Sequence, residues 1–93
     1  MSRRLETLAP GTAVYCGDKR VGSVEGVYTE GDSRLPEFLA VAWDSRGATI
    51  LVRTNDVESI EDHGVVLQSA DPTVYETVAK FEPKQYPTIK KLK

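Results

Sequence analysis

The chain has 93 residues, 40% of them hydrophobic and 28% charged, with a net charge of −2. That length supports one domain with one core and argues against a core plus a deep, walled active-site cavity. A single cysteine, Cys16, rules out an internal disulfide framework, which fits a reducing, cytoplasmic setting. No stretch approaches the roughly 20 apolar residues of a membrane span. The first eight residues are basic but lack the apolar run of a signal peptide.

Charge is unevenly placed. Residues 80–93 hold five lysines against Glu82, a net of +4, and Arg3 and Arg4 add +2 at the start. The body, 5–79, therefore carries −8. An acidic body with basic ends is not the composition of a nucleic-acid groove, which gathers basic residues on one face.

The chain reads as short strands divided by turn residues. Residues 12–16 form a first strand, opened by Pro10-Gly11 and closed by a turn over 17–20. A second strand spans 21–29. Its anchors Val21, Val24 and Val27 are spaced by three, where alternation requires two. Gly22 and Gly26 supply the remedy, since a strand glycine marks a bulge or bend that restores the inward phase.

A polar loop over 30–37 leads to a third strand, Phe38–Trp43. Leu39, Val41 and Trp43 share one face, and Phe38, Ala40 and Ala42 share the other. Both faces are apolar, so this strand is expected to be covered on both sides. Asp44-Ser45-Arg46-Gly47 has the form of a type I turn with a glycine bulge. The return strand is 48–53, with Thr49, Leu51 and Arg53 opposite Ala48, Ile50 and Val52. A fifth strand at 57–61 and a sixth at 65–68 flank the tight turn Asp62-His63-Gly64. Short local links favour antiparallel pairing throughout.

Asp71-Pro72 suits a helix start, and Val74, Val78 and Phe81 fall at i, i+4 and i+7. A helix over 72–81 is expected, ending before Pro83. With Pro87 beyond it, 83–93 reads as an extended or loose basic tail. The resulting division is an N-terminal extension 1–9, a β unit 10–69, a helical segment 70–82 and the tail 83–93.

With these residues laid out, the chain resembles the PRC-barrel family, the small β-barrel of the photosynthetic reaction-centre H subunit and of the ribosome maturation factor C-terminal domain. The matching pieces lie within about residues 10–68. They are Pro10-Gly11-Thr12-Ala13-Val14-Tyr15, Val21-Gly22-Ser23-Val24-Glu25-Gly26-Val27-Tyr28, Val57-Glu58-Ser59-Ile60 and Gly64-Val65-Val66-Leu67. Arg53-Thr54-Asn55-Asp56 stands where many members carry a proline. The resemblance implies a mostly β fold, a small six-stranded antiparallel barrel with a short C-terminal helix. It also implies a docking or assembly habit with no family-wide catalytic residues.

Chemistry-bearing groups are sparse. One His and one Cys leave a structural zinc site two ligands short. The carboxylates Asp56, Glu58, Glu61 and Asp62 lack calcium-loop spacing and suit a charged sheet edge. Cys16 and His63 form the one nucleophile pair the composition permits, with Cys16 expected as a small buried hydrophobe. No phosphate-cradling glycine loop precedes a helix. No cofactor, metal or catalytic residue is therefore assigned.

The expectation is a non-catalytic protein-binding or assembly module that forms a homodimer. Its contact residues are Phe38, Ala40 and Ala42 on the third strand and Val74, Val78 and Phe81 on the helix that would cover them or a partner. The alternative is a ribosome- or RNA-associated factor that uses the basic tail.

Overall fold

The computed structural model describes residues 8–32 and 35–91. Residues 1–7 of the expected N-terminal extension, 33–34 of the expected loop and 92–93 of the tail lie outside the described residues.

Among the described residues seven strands, β1 (Ala13–Cys16), β2 (Lys19–Glu30), β3 (Phe38–Trp43), β4 (Ala48–Arg53), β5 (Val57–Glu61), β6 (Gly64–Leu67) and β7 (Ile89–Lys91), form a single sheet. Its order is β4-β3-β2-β1-β6-β5, with β7 pairing β2 off that path. The end strands β4 and β5 do not pair, so the sheet is open and the expected six-stranded closed barrel is not formed. Nor is the sheet wholly antiparallel. β1 and β6 run parallel, with Val14 opposite Val65 and Cys16 opposite Leu67. Such a pair joins elements about 50 residues apart, and local turns carry no signal for it.

The valine spacing of three in β2 is resolved by two register shifts. Against β1, Val14 faces Gly22 while Tyr15 faces Arg20, which leaves Val21 as the extra residue. Against β3, Val24 faces Val41 while Gly26 faces Ala40, which leaves Glu25 extra. Each shift resets the pleat, so Val21, Val24 and Val27 are all buried. Gly22 is required here, because a Cβ on it would collide with the carbonyl oxygen of Ala42 on β3.

The β3–β4 hairpin is the one its residues predict. The amides of Arg46 and Gly47 donate to the Trp43 carbonyl at 3.1 and 3.0 Å, and Gly47 has φ +60°. The core lies on one face, called the inner face. It is built from Val14, Cys16, Val24, Val27, Leu39, Val41, Trp43, Ile50, Val52, Val65 and Leu67, with Tyr75 packed across Trp43 at 5.6 Å between ring centroids.

The helix is shorter than the 72–81 its periodicity predicts. It is one turn, α1 (Thr73–Glu76), preceded by Asp71, whose carboxylate accepts from the Thr73 amide at 3.0 Å and the Thr73 hydroxyl at 2.7 Å. A helix this short has little stability of its own. Beyond Thr77 other bonds win. The Arg46 guanidinium donates to the Val78 carbonyl, Lys80 bridges to Ile50, and the Phe81 amide donates to the Thr49 carbonyl at 2.8 Å. The chain thus passes over the β4 edge to the outer face of the sheet.

The tail is not loose over its described length. It makes a 3-10 turn at Pro83–Gln85 and ends as β7, antiparallel to β2 with Tyr28 opposite Lys91. The Gly31 amide donates to the Thr88 carbonyl at 2.6 Å, which fixes the approach to β7. Residues 78–91 therefore form a strap across the outer face, from the β4 edge to the far side of β2.

Candidate functional site

The outer face of β2, β3 and β4 presents Tyr28, Phe38, Ala40, Leu51 and Arg53 by strict alternation with the core residues. An apolar outer surface of this kind has to be covered, and the strap supplies the cover. Phe81 is 7% exposed and meets Tyr28 edge-to-face with ring centroids 5.1 Å apart. Tyr86 lies against Phe81 at 5.8 Å, and the stem of Lys91 crosses Gly26.

The cover is incomplete. Between strap and sheet lies an open cleft of about 290 Å³. Phe38 and Leu51 come from the sheet, Val78, Ala79, Phe81, Tyr86 and Ile89 from the strap, and Glu30 from the end of β2. Among the described residues Glu30 is the sole charged side chain in that lining. The Arg53 guanidinium sits over the Phe38 ring, 5.7 Å from its centroid, and so closes one flank of the aromatic floor with a cation.

Of the six contact residues expected from the sequence, Phe38, Val78 and Phe81 converge on this cleft. Ala40 lies in the same outer surface but is buried at 1% exposure, and Ala42 is half-buried. Val74 is not part of the cover. It stands 55% exposed on α1, because the single helical turn buries Tyr75 instead. Five cleft residues escaped the sequence reading, Ala79 among them as a small residue on the expected helix. Leu51 carried a signal, being apolar on the outward phase of β4. Glu30, Tyr86 and Ile89 sit in segments whose loop and proline character hid their role.

Cys16 and His63 are on opposite faces of the sheet. Cys16 is in the core at 1% exposure, and burial, followed by the nearby Asp71 carboxylate, pushes its thiol pKa up. A thiol raised in this way is a poor nucleophile at neutral pH. His63 is exposed at the β5–β6 turn and packs edge-on against Tyr15 at 4.9 Å. Among the described residues no three His, Cys, Asp or Glu side chains are grouped to hold a metal ion, and no helix is long and apolar enough to cross a membrane.

A second recess, about 110 Å³, lies where the start of β2 meets the β3–β4 hairpin and α1, with Lys19, Arg20, Asp44 and Glu76 around Trp43. Its mixed charges and small volume single out no ligand class. The larger cleft is the site with a consistent chemical character: it is apolar and aromatic, and open to solvent along one side.

Comparison with protein-family models, curated proteins and solved structures finds no match to this chain.

Proposed function

We propose that this chain is a non-catalytic protein-binding and assembly module, which takes an apolar side chain of its partner into the outer-face cleft. The observation that carries the reading is the cleft itself. Two segments far apart in sequence enclose an aromatic floor and leave it open, as small apolar anchoring pockets at interfaces do. The resemblance of residues 10–68 to PRC-barrel domains accords with a docking role in the cytoplasm. Here that habit would be served by an open, strapped sheet.

Ala79→Arg tests this reading. Ala79 is exposed at the cleft, so an arginine there fills the opening without entering the core. Tagged wild type, Ala79→Arg and an edge control, Glu58→Gln, are used for affinity capture with and without nuclease. The proposal expects a discrete, nuclease-resistant set of proteins that Ala79→Arg loses and Glu58→Gln keeps. An identical set from all three variants contradicts it.

One observation favours a second reading. The strap carries Lys80, Lys84, Lys90 and Lys91, all exposed, so the basic charge of the tail is held against the outer side of the sheet. A ribosome- or RNA-associated factor would use this strip. It would lose its partner with nuclease, with salt and with deletion of 84–93.

A further inference from the structure

We propose that residues 80–91 of the strap are a gate, hinged at Ala79, which swings off the outer face as one unit while the inner core stays folded. Its opening turns the small cleft into a continuous apolar surface. The inference goes beyond the binding reading, because it concerns what the strap does whether or not a partner is present.

The two faces of the sheet are held very unequally. The inner face is closed by one cluster that runs from β1 to α1, and Tyr75 is its last buried member among the described residues. The strap has one buried side chain among its described residues, Phe81; Val78 and Ile89 are half-buried, and its other described side chains are exposed. Its backbone anchors are equally thin. The Lys80 bridge to Ile50 and the bond from the Phe81 amide to Thr49 hold its start, and three residue pairs with β2 hold its end. Between them stand Pro83 and Pro87, which have no amide hydrogen to donate. The strap also leaves about 290 Å³ of open space against Phe38 and Leu51, so part of its inner side makes no packing contact with the sheet. A segment with few buried contacts and short pairing opens as a cooperative unit at a lower free energy than the core.

The hinge follows from what stays behind. Tyr75 is locked in the core, and the Arg46 guanidinium holds the Val78 carbonyl, so the chain up to Val78 remains with the sheet. Lys80 is the first residue bridged to β4. Ala79 stands between the two, exposed and small, as hinge residues often are. When the gate opens it takes Phe81, Tyr86 and Ile89 with it and uncovers Tyr28, Phe38 and Leu51, together with Ala40, which is 1% exposed in the closed state. The outer face therefore has two forms, a narrow cleft when strapped and a broad apolar face when released.

The test is native-state hydrogen exchange on the full-length wild type, read by NMR at urea concentrations below the unfolding transition. The Phe81 amide, bonded to Thr49, and the Gly31 amide, bonded to Thr88, report the two ends of the gate, while Val41 and Ile50, paired between β3 and β4, report the core. The proposal expects both gate reporters to share one opening equilibrium, at least about tenfold more populated than core opening. It expects their urea dependence to be measurable but smaller than that of the core, because the slope scales with the surface uncovered. Core-like protection with the core's urea slope overturns the gate, since the strap would then open with global unfolding alone. Unequal equilibria at the two ends, or no urea dependence, also overturn it, because the strap would be fraying piecemeal without uncovering the face. Exchange at free-chain rates overturns it as well, there being no closed state to open.

Discussion

Tyr28 and Phe81 meet edge-to-face at 5.1 Å, and this contact fastens the C-terminal strap to the outer face of the sheet. Tyr28 stands on β2 directly opposite Phe38 of β3, so Phe81 closes over the same aromatic floor that the cleft exposes. One aromatic pair thus joins the stability of the strap to the shape of the candidate site.

Phe81→Ala should therefore cost about 3 kcal/mol, the low end of the range for a buried aromatic, because Phe81 has the sheet on one side and the thin strap on the other. Urea unfolding of the variant measures it. A loss under about 0.5 kcal/mol, the scale of an exposed surface change, would show that the pair does not hold the strap.

Removal of 83–93 tests a different link. Among the described residues none beyond Tyr75 belongs to the buried core cluster, and of its partly buried neighbours the last is Val78. Truncation after Glu82 should leave the inner core folded and cooperative while uncovering Tyr28, Phe38 and Leu51. The expected readout is near-native circular dichroism with increased binding of a hydrophobic dye. Loss of cooperative unfolding would mean that the strap is part of the core.

Two glycines separate a steric requirement from a conformational one. Gly22→Ala places a Cβ against the Ala42 carbonyl on the neighbouring strand, and backbone cannot yield cheaply. It should cost about 2–4 kcal/mol. Gly31 has open space around it but φ +60°, so Gly31→Ala should cost about 1 kcal/mol. Paired denaturation curves give both values, and equal costs would contradict the geometry.

The fold's bounds were legible where neighbours in sequence are neighbours in space. The strands β3, β4 and β5 fall where alternation and turns put them, and the threefold valine spacing with Gly22 and Gly26 foretold the bulged β2. What failed was non-local. The parallel β1–β6 pair has no local signature. The Val74, Val78 and Phe81 periodicity gave way to bonds from Arg46, Ile50 and Thr49, residues some 30 positions earlier. An equally non-local pairing, with β2, turns the proline-flanked tail into β7. Three of the eight cleft residues were readable for the same reason: Phe38, Val78 and Phe81 are apolar wherever the chain goes, whereas Tyr86 and Ile89 gain a role through the strap alone.

Stability should respond to alkali rather than to neutral pH. Burial first and Asp71 second raise the Cys16 pKa, and burial is the leading cause of a raised Tyr75 pKa. Both groups keep their protons in the folded state to a higher pH than in the unfolded chain. Their contribution is fully present below the unfolded values, about 8.5 for Cys and 10 for Tyr, and is lost as pH rises through the folded values. Unfolding midpoints should be flat near neutrality and fall above about pH 8.5, with a shallower first decline in Cys16→Ala. Iodoacetamide should label Cys16 slowly in the folded protein at pH 8 and quickly in denaturant; rapid labelling of folded protein would contradict its burial.

The central claim is that residues 78–91 are strapped to the outer face and so build the cleft. Amide hydrogen exchange on the full chain reads this directly at two donors, the Phe81 amide bonded to Thr49 and the Gly31 amide bonded to Thr88. The account predicts that both exchange well below free-chain rates and slow together relative to exposed turn amides. Free-chain exchange at both, alongside protected amides at Val41 and Ile50 in the core, would contradict it: the strap would be off the sheet and the cleft would not exist.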